Sequence, residues 1–206
     1  EENQEELTDI SLGIDLGLKD LAICSDGTVY KNINKTYMVR KIEKRLKRLQ
    51  KQVSRKYEKN KKGKEYVKTK NIIKLEKQIQ QVHRRLANIR NNYLHQTTTN
   101  IVKTKPYRVV IEDLAVSDMM KNKHLSDAIR KQGFSEFRRQ LEYKCNFRGI
   151  KFVVADRFYP SSKSCSQCGK IKKDLKLKDR VYKCSCGLNI DRDLNASINL
   201  SKYKSA

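Results

Sequence analysis

The sequence predicts an α/β protein carrying a small metal-held insertion, and three observations support that prediction. Residues near the start alternate apolar and polar as a strand does, two later stretches repeat apolar residues at helical steps, and four of the six cysteines fall into two close pairs. A chain of 206 residues has room for one ordinary domain, or one domain with an insertion, and buries a real core. A metal is therefore a local device here.

After a polar leader over residues 1–9, Ile10 to Gly17 places Ile10, Leu12, Ile14 and Leu16 on one face and Ser11, Gly13 and Asp15 on the other. Leu21 to Cys24, the turn Ser25-Asp26-Gly27, and Thr28 to Tyr30 read as strand, tight turn and strand, so the chain opens as an antiparallel meander. Residues 38–58 set Met38, Ile42, Leu46, Leu49 and Val53 at three- and four-residue steps, and residues 72–93 repeat the pattern from Ile72 to Tyr93. Both are amphipathic helices with coiled-coil-like seams, and the polar stretch Lys59 to Lys64 turns one back on the other. Pro106 ends this helical hairpin, expected over residues 37–105. Tyr107 to Glu112 reads as a buried strand ending in acid, Phe134 to Phe147 as a helix stopped by Gly149, and Lys151 to Ala155 as a further strand. The core thus spans residues 10–158, a cysteine ribbon 159–188, and a final helix, starting near Asp191, lies within 189–206.

Forty-seven Lys and Arg against 23 Asp and Glu give a formal net charge of +24. A charge of that size repels itself in a compact molecule and attracts phosphate, so nucleic acid is the expected partner. Half of the excess sits in one arm, where residues 36–70 hold fifteen Lys and Arg against three Glu. A solvated face is the plain reading of a charge run, but this density exceeds what solubility requires. Lys41, Arg45, Arg48 and Arg55 on the first helix, with Lys172 and Lys173 beside the cysteines, are the candidate nucleic-acid contacts. Phe158 and Tyr159 are candidates for stacking on a base, with core packing the alternative for Phe158. No apolar run approaches the roughly 18 residues that span a bilayer, and the acidic start (Glu1, Glu2, Glu5, Glu6, Asp9) is unlike a signal peptide. A membrane partner is not expected, and the protein reads as cytoplasmic and nucleoid-associated. Beginning with Glu, the chain reads as a piece of a longer one.

Cys165-Ser-Gln-Cys168-Gly, fifteen intervening residues, and Cys184-Ser-Cys186-Gly have the spacing of a four-thiolate zinc site. Four sulfurs fill a tetrahedron and leave no open position, which makes the zinc structural; a redox pair is the competing reading. Cys24 and Cys145 read as small buried apolar residues. Three acids fall at ends of predicted elements: Asp15, Glu112 and Asp193. Hydrolysis of a phosphodiester by two divalent ions needs carboxylates converging on metals about 4 Å apart, and Mg2+ or Mn2+ prefers such oxygens. Spacing alone does not single these three out. Asp20, Asp26, Asp113 and Asp156 are equally acidic, and Asp191 has an innocent use as a helix N-cap.

Gly13-Ile14-Asp15-Leu16-Gly17, Ile111-Glu112-Asp113-Leu114, the paired cysteines, and Asp191-Arg192-Asp193-Leu194-Asn195-Ala196 follow one another in that order. Together they resemble the C-terminal half of TnpB-type proteins, transposon-encoded RNA-guided nucleases related to type V CRISPR effectors. The likeness covers residues 10–204. It implies a RuvC-like nuclease of RNase H fold, a mixed sheet with a zinc ribbon inserted before the final acid. It implies that Asp15, Glu112 and Asp193 are the catalytic residues holding Mg2+ or Mn2+, with Asp193 preferred over Asp191 because it directly precedes Leu194-Asn195-Ala196. A guide RNA and a DNA target are the implied partners. The second cysteine pair departs from the family's commoner Cys-x-x-Cys, and the family's N-terminal wedge and recognition regions are missing from these residues. Two rival readings keep the charge but change the chemistry: a non-cleaving nucleic-acid-binding regulator of transposition, and a stand-alone RuvC-like resolvase.

Overall fold

The computed structural model describes residues 6–176 and 178–204. The first five residues of the expected leader lie outside that range. Strands β1 (Thr8–Leu16), β2 (Asp20–Cys24) and β3 (Val29–Lys31) open the chain, followed by helix α1 (Tyr37–Lys59), the short strands β4 (Lys61–Lys62) and β5 (Glu65–Tyr66), and helix α2 (Lys70–Lys103). Strand β6 (Pro106–Glu112), helices α3 (Val116–Met120), α4 (Ser126–Gln132) and α5 (Phe134–Phe147), and strand β7 (Lys151–Ala155) come next. The chain ends in β8 (Val181–Lys183), β9 (Asn189–Asp191) and α6 (Arg192–Ser201). None of these helices is long and apolar enough to cross a membrane.

Residues up to Asn32 and from Leu94 onward form one compact unit, and Ile33–Tyr93 form another. The first is built on a mixed five-stranded sheet of order β3-β2-β1-β6-β7 among the described residues. The meander pairs antiparallel, whereas β1, β6 and β7 run parallel. The three parallel strands therefore end at one edge of the sheet, the edge that carries Asp15 and Glu112. Parallel strands are covered on both faces, and the strand interiors agree: Leu12, Ile14, Val109, Val110 and Ile111 are all buried. Ile10 is the exception to the expected alternation, standing exposed where β1 has run beyond the core.

Helix α6 lies on the face of Ser11, Gly13 and Asp15. A Cβ on Gly13 would run into the carbonyl of Ser197 and the amide of Ser201, so glycine is what lets the helix backbone touch the strand. Val110, Val153, Ala155 and Leu200 form the apolar contact beside it, with Tyr159 and Tyr203 packed on its rim.

In the second unit, Thr36 caps α1 by accepting the amide of Val39. Val39, Ile42 and Leu46 meet Val82 and Leu86 as one apolar seam. Val39, not Met38, takes the buried position, and Met38 is exposed. Arg90 donates to Glu43 at 2.8 Å and to Asn34 at 2.7 Å, and Tyr57 donates to Glu76 at 2.6 Å, tying the two helices at both ends of the seam. Instead of a bare turn, the hairpin tip holds the small ladder β4–β5.

Candidate active site

Asp15 and Glu112 meet because of sheet register. Gly13 pairs with Val110 across β1 and β6, so two residues on, at the same parity, Asp15 and Glu112 stand side by side on the α6 face. The Leu16 amide donates to Glu112 Oε1 at 3.4 Å. Asp193 comes from the first turn of α6. All three carboxylates line one cavity of about 460 Å3, together with Asp20, Ser161, Arg180 and Arg192. Asp191 is absent from its lining and is engaged elsewhere: its Oδ1 accepts the amides of Asp193 at 2.9 Å and Leu194 at 3.2 Å, capping α6.

The electrostatics are those of a site crowded with negative charge. Burial, then the charges of Glu112 and Asp193, push Asp15 well above the ordinary carboxylate range, with Arg192 pulling the other way. Burial pushes Glu112 up to about 7 against the Leu16 hydrogen bond, and Asp193 adds to the rise. Asp193 is paired with Arg192, which donates at 3.2 and 3.3 Å, and stands 3.9 Å from Arg180. Two guanidinium groups thus face the acids from the far side. Neither arginine is singled out for this cavity by the sequence.

The four cysteines converge. Cys165, Cys168, Cys184 and Cys186 bring their sulfurs within 4.8 Å of one another and form a group able to hold a metal ion, the one such cluster of three or more among the described residues. The three acids do not form such a group. Cys165 and Cys186, and Cys168 and Cys184, are each 3.6 Å apart. Gly169 and Gly187 turn the two knuckles at φ of 76° and 95°. Backbone amides point at the sulfurs: that of Cys186 is the chief cause that brings Cys184 down to about 6, and, against burial, those of Cys168 and Gln167 bring Cys165 below its usual range.

The cysteine segment is fastened to α6, the helix that carries Asp193. Asn195, wholly buried, donates to the Ser164 carbonyl at 2.7 Å and accepts the Ser166 amide at 3.0 Å. Asn199 donates to the carbonyls of Ser161 and Ser164, both at 2.7 Å. Strand β9, which sequence assigned to the final segment, pairs with β8 and runs straight into α6. Tyr182 is fully buried beneath the cluster and donates to the Lys163 carbonyl at 3.0 Å.

None of the basic candidates is among the residues that line the cavity. Lys41, Arg45, Arg48 and Arg55 are exposed on α1, as is Lys173 near the cysteines. Lys172 is half-buried and reaches the Lys183 carbonyl at 3.5 Å. Phe158 is exposed, which removes its core-packing alternative, while Tyr159 packs edge-on against Tyr203 at 5.0 Å. Cys24 and Cys145 are buried and unpaired as disulfides, as expected.

Residues 1–123 match the family OrfB_IS605, described as "Probable transposase", and residues 134–200 match the "Cas12f1-like, TNB domain". Two of the relatives that carry the name "Putative RNA-guided DNA endonuclease" cover nearly all of this chain. One, from Streptomyces pristinaespiralis, is 37% identical over 94% of this chain and 45% of its own length; the other, InsQ of Escherichia coli K12, is 35% identical over 92% of this chain and 48% of its own. The chain spans about half the length of these curated relatives. Among solved structures, a CRISPR-Cas12f ternary complex matches all of this chain and 41% of its own at a TM-score of 0.71 and 24% identity, a likeness of fold. With its ordered motifs, its α/β fold and this family match together, the chain belongs to the OrfB_IS605 probable-transposase family, of which TnpB-type proteins are the relatives its motifs resemble.

Proposed function

We propose that this chain is the nuclease portion of a transposon-associated, RNA-guided DNA endonuclease. Asp15, Glu112 and Asp193 hold divalent Mg2+ or Mn2+ in it and direct hydrolysis of a target-DNA phosphodiester. The observation that carries the reading is the convergence of three carboxylates, 97 and 81 positions apart in sequence, on one cavity, where burial and neighbouring negative charge oppose the ionisation of Asp15 and Glu112. Such a group suits cations, and divalent ions held by the three carboxylates would supply a lowered pKa for a water and neutralisation of charge on the leaving oxygen. The chain's own residues do the rest. β1 and β6 fix two acids by register, the Asp191 cap sets the first turn of α6, and Arg192 and Arg180 keep Asp193 from adding its full charge to the other two.

The strand order β3-β2-β1-β6-β7, with the meander first and α6 across Gly13, supports an RNase H-like, RuvC-like identity for the core over residues 10–158 and the final helix. For the cysteine segment over residues 159–188, structural zinc is the metal. Four sulfurs at about 2.3 Å from one ion sit roughly 3.8 Å from each other, close to the 3.6 Å separations found, and far from the roughly 2.05 Å of a disulfide. Guide RNA and target DNA are the partners, with the exposed bases of α1 and Lys172 and Lys173 on their phosphates, and the protein works at the nucleoid. The names of the relatives support this reading.

The test is divalent-dependent cleavage of single-stranded DNA by this chain and by Asp193→Ala. Loss of about 100-fold or more is expected. Undiminished cutting by the variant removes the carboxylate assignment, and salt-sensitive binding with no turnover in Mg2+ or Mn2+ returns the non-cleaving regulator.

A further inference from the structure

Two of the five phenylalanines stand almost fully in solvent, Phe147 at 92% and Phe158 at 87% exposed. A single exposed apolar residue is ordinary. Phe158 differs in where it stands and how firmly it is held. It follows β7, whose last residue, Ala155, is in register with Glu112, so Phe158 emerges at the sheet edge that carries the acids. Ser161 and Ser162, three and four residues on, line the carboxylate cavity itself. Three residues span at most about 11 Å of chain, which keeps the ring close to that cavity.

The segment is pinned on both sides. Asp156 Oδ1 accepts the Phe158 amide at 2.7 Å and the Asp156 carbonyl accepts the Tyr159 amide at 3.0 Å. The Asp156 amide donates to the Tyr203 hydroxyl at 3.2 Å, and Tyr159 donates to the Asn199 carbonyl at 3.0 Å. Of two adjacent aromatics, one is packed inward and the other is turned outward on a fixed loop. Arg157 beside it and Arg138 reach the carboxylate of Asp113, at 3.7 and 3.2 Å, so with Asp156 the patch sets two guanidinium groups against two carboxylates. An exposed aromatic face with guanidinium groups beside it is what proteins offer to an unpaired base.

We propose that Phe158 is a stacking platform for an unpaired base of the single DNA strand led to the carboxylate cavity. The inference rests on the nuclease reading for the direction of that strand, but stacking itself is measured without catalysis. The ring reads no sequence, because every base presents a π-face; it fixes how far the strand advances.

The chain contains no tryptophan, so Phe158→Trp supplies one fluorophore without background. A short oligodeoxythymidylate, added without divalent ions, is expected to quench its emission, while the same strand with abasic sites, or a duplex, is not. Phe158→Ala is expected to weaken binding of the intact strand about 5- to 150-fold with an unchanged salt slope, Phe158→Tyr to restore it, and Phe147→Ala to leave it unchanged. Phe147 is the control because it lies thirteen residues along α5 from the cavity-lining Phe134, about 20 Å away. Wild-type affinity in Phe158→Ala overturns the proposal, as does equal weakening for intact and abasic strands, which assigns the ring to a protein contact. Quenching with no cleavage by the wild-type chain sinks the nuclease reading alone.

Discussion

Glu112 ends β6 in surroundings that suit a cation better than a bare carboxylate. Folding raises its pKa from 4.5 to about 7, chiefly by burial. Between those two values the folded chain binds more protons than the unfolded one, so the group's contribution is present below pH 4.5 and is lost as pH rises to about 7. The loss is about 3 kcal/mol at most. Glu136, brought down to about 2 mainly by Arg139, works in the opposite sense but at lower pH, outside this window. In buffer free of divalent ions, Glu112→Gln is expected to melt above the wild type at pH 8 and to match it near pH 5. A difference in melting temperature that does not change with pH would refute the account. Asp193 differs from Asp15 and Glu112 in having guanidinium partners, a distinction that motif spacing does not carry.

Helix α6 is the element on which the site depends. Its N-terminus presents Asp193, its middle meets the sheet at Gly13, and its buried face grips the cysteine segment through Asn195 and Asn199. Gly13→Ala forces a methyl group into helix backbone, which has no rotamer with which to move aside. We expect a loss of about 3 kcal/mol, read as a lower urea midpoint, whereas alanine at the solvent-facing Gly27, whose φ of 88° strains it but where nothing lies within 4 Å, costs less. Equal midpoints for the two variants would mean that the close approach does not matter. The sequence displays both Gly13 and Asn195 within its motifs, yet their work is invisible there, because the close contact of Gly13 with Ser197 and the buried amide clamp of Asn195 on Ser164 are relations between separate segments of the chain.

At the scale of the whole molecule the dominant fact is the net charge of +24 and its concentration on the hairpin. Apolar seam residues at three- and four-residue steps made both helices legible, and the second ends at Lys103, just short of the expected bound of 105. The exposed face of α1 carries Lys41, Arg45, Arg48 and Arg55. If these four meet phosphates of a single-stranded RNA, each contributes about 0.7 to the slope of log affinity against log salt. Replacing all four with Glu is therefore expected to flatten that slope by about 3, while the seam, made by other residues, keeps the helices paired. An unchanged slope would return the hairpin to a merely solvated surface.

Most elements and the grouping of the four cysteines were determined by the sequence, since periodicity, turn residues and the spacing of four sulfurs are local properties. So were the helix over Phe134–Phe147 and the strand over Lys151–Ala155, each found with the bounds expected. The short helices α3 and α4, only five and seven residues long, escaped because so few residues carry no readable period. Only the tertiary structure decided which acids share a cavity, which arginines face them, and that Phe158 points outward while Tyr159 packs inward. The reason is physical: burial, charge proximity and register between β1 and β6 arise from the meeting of distant segments, and no window along the chain contains both partners.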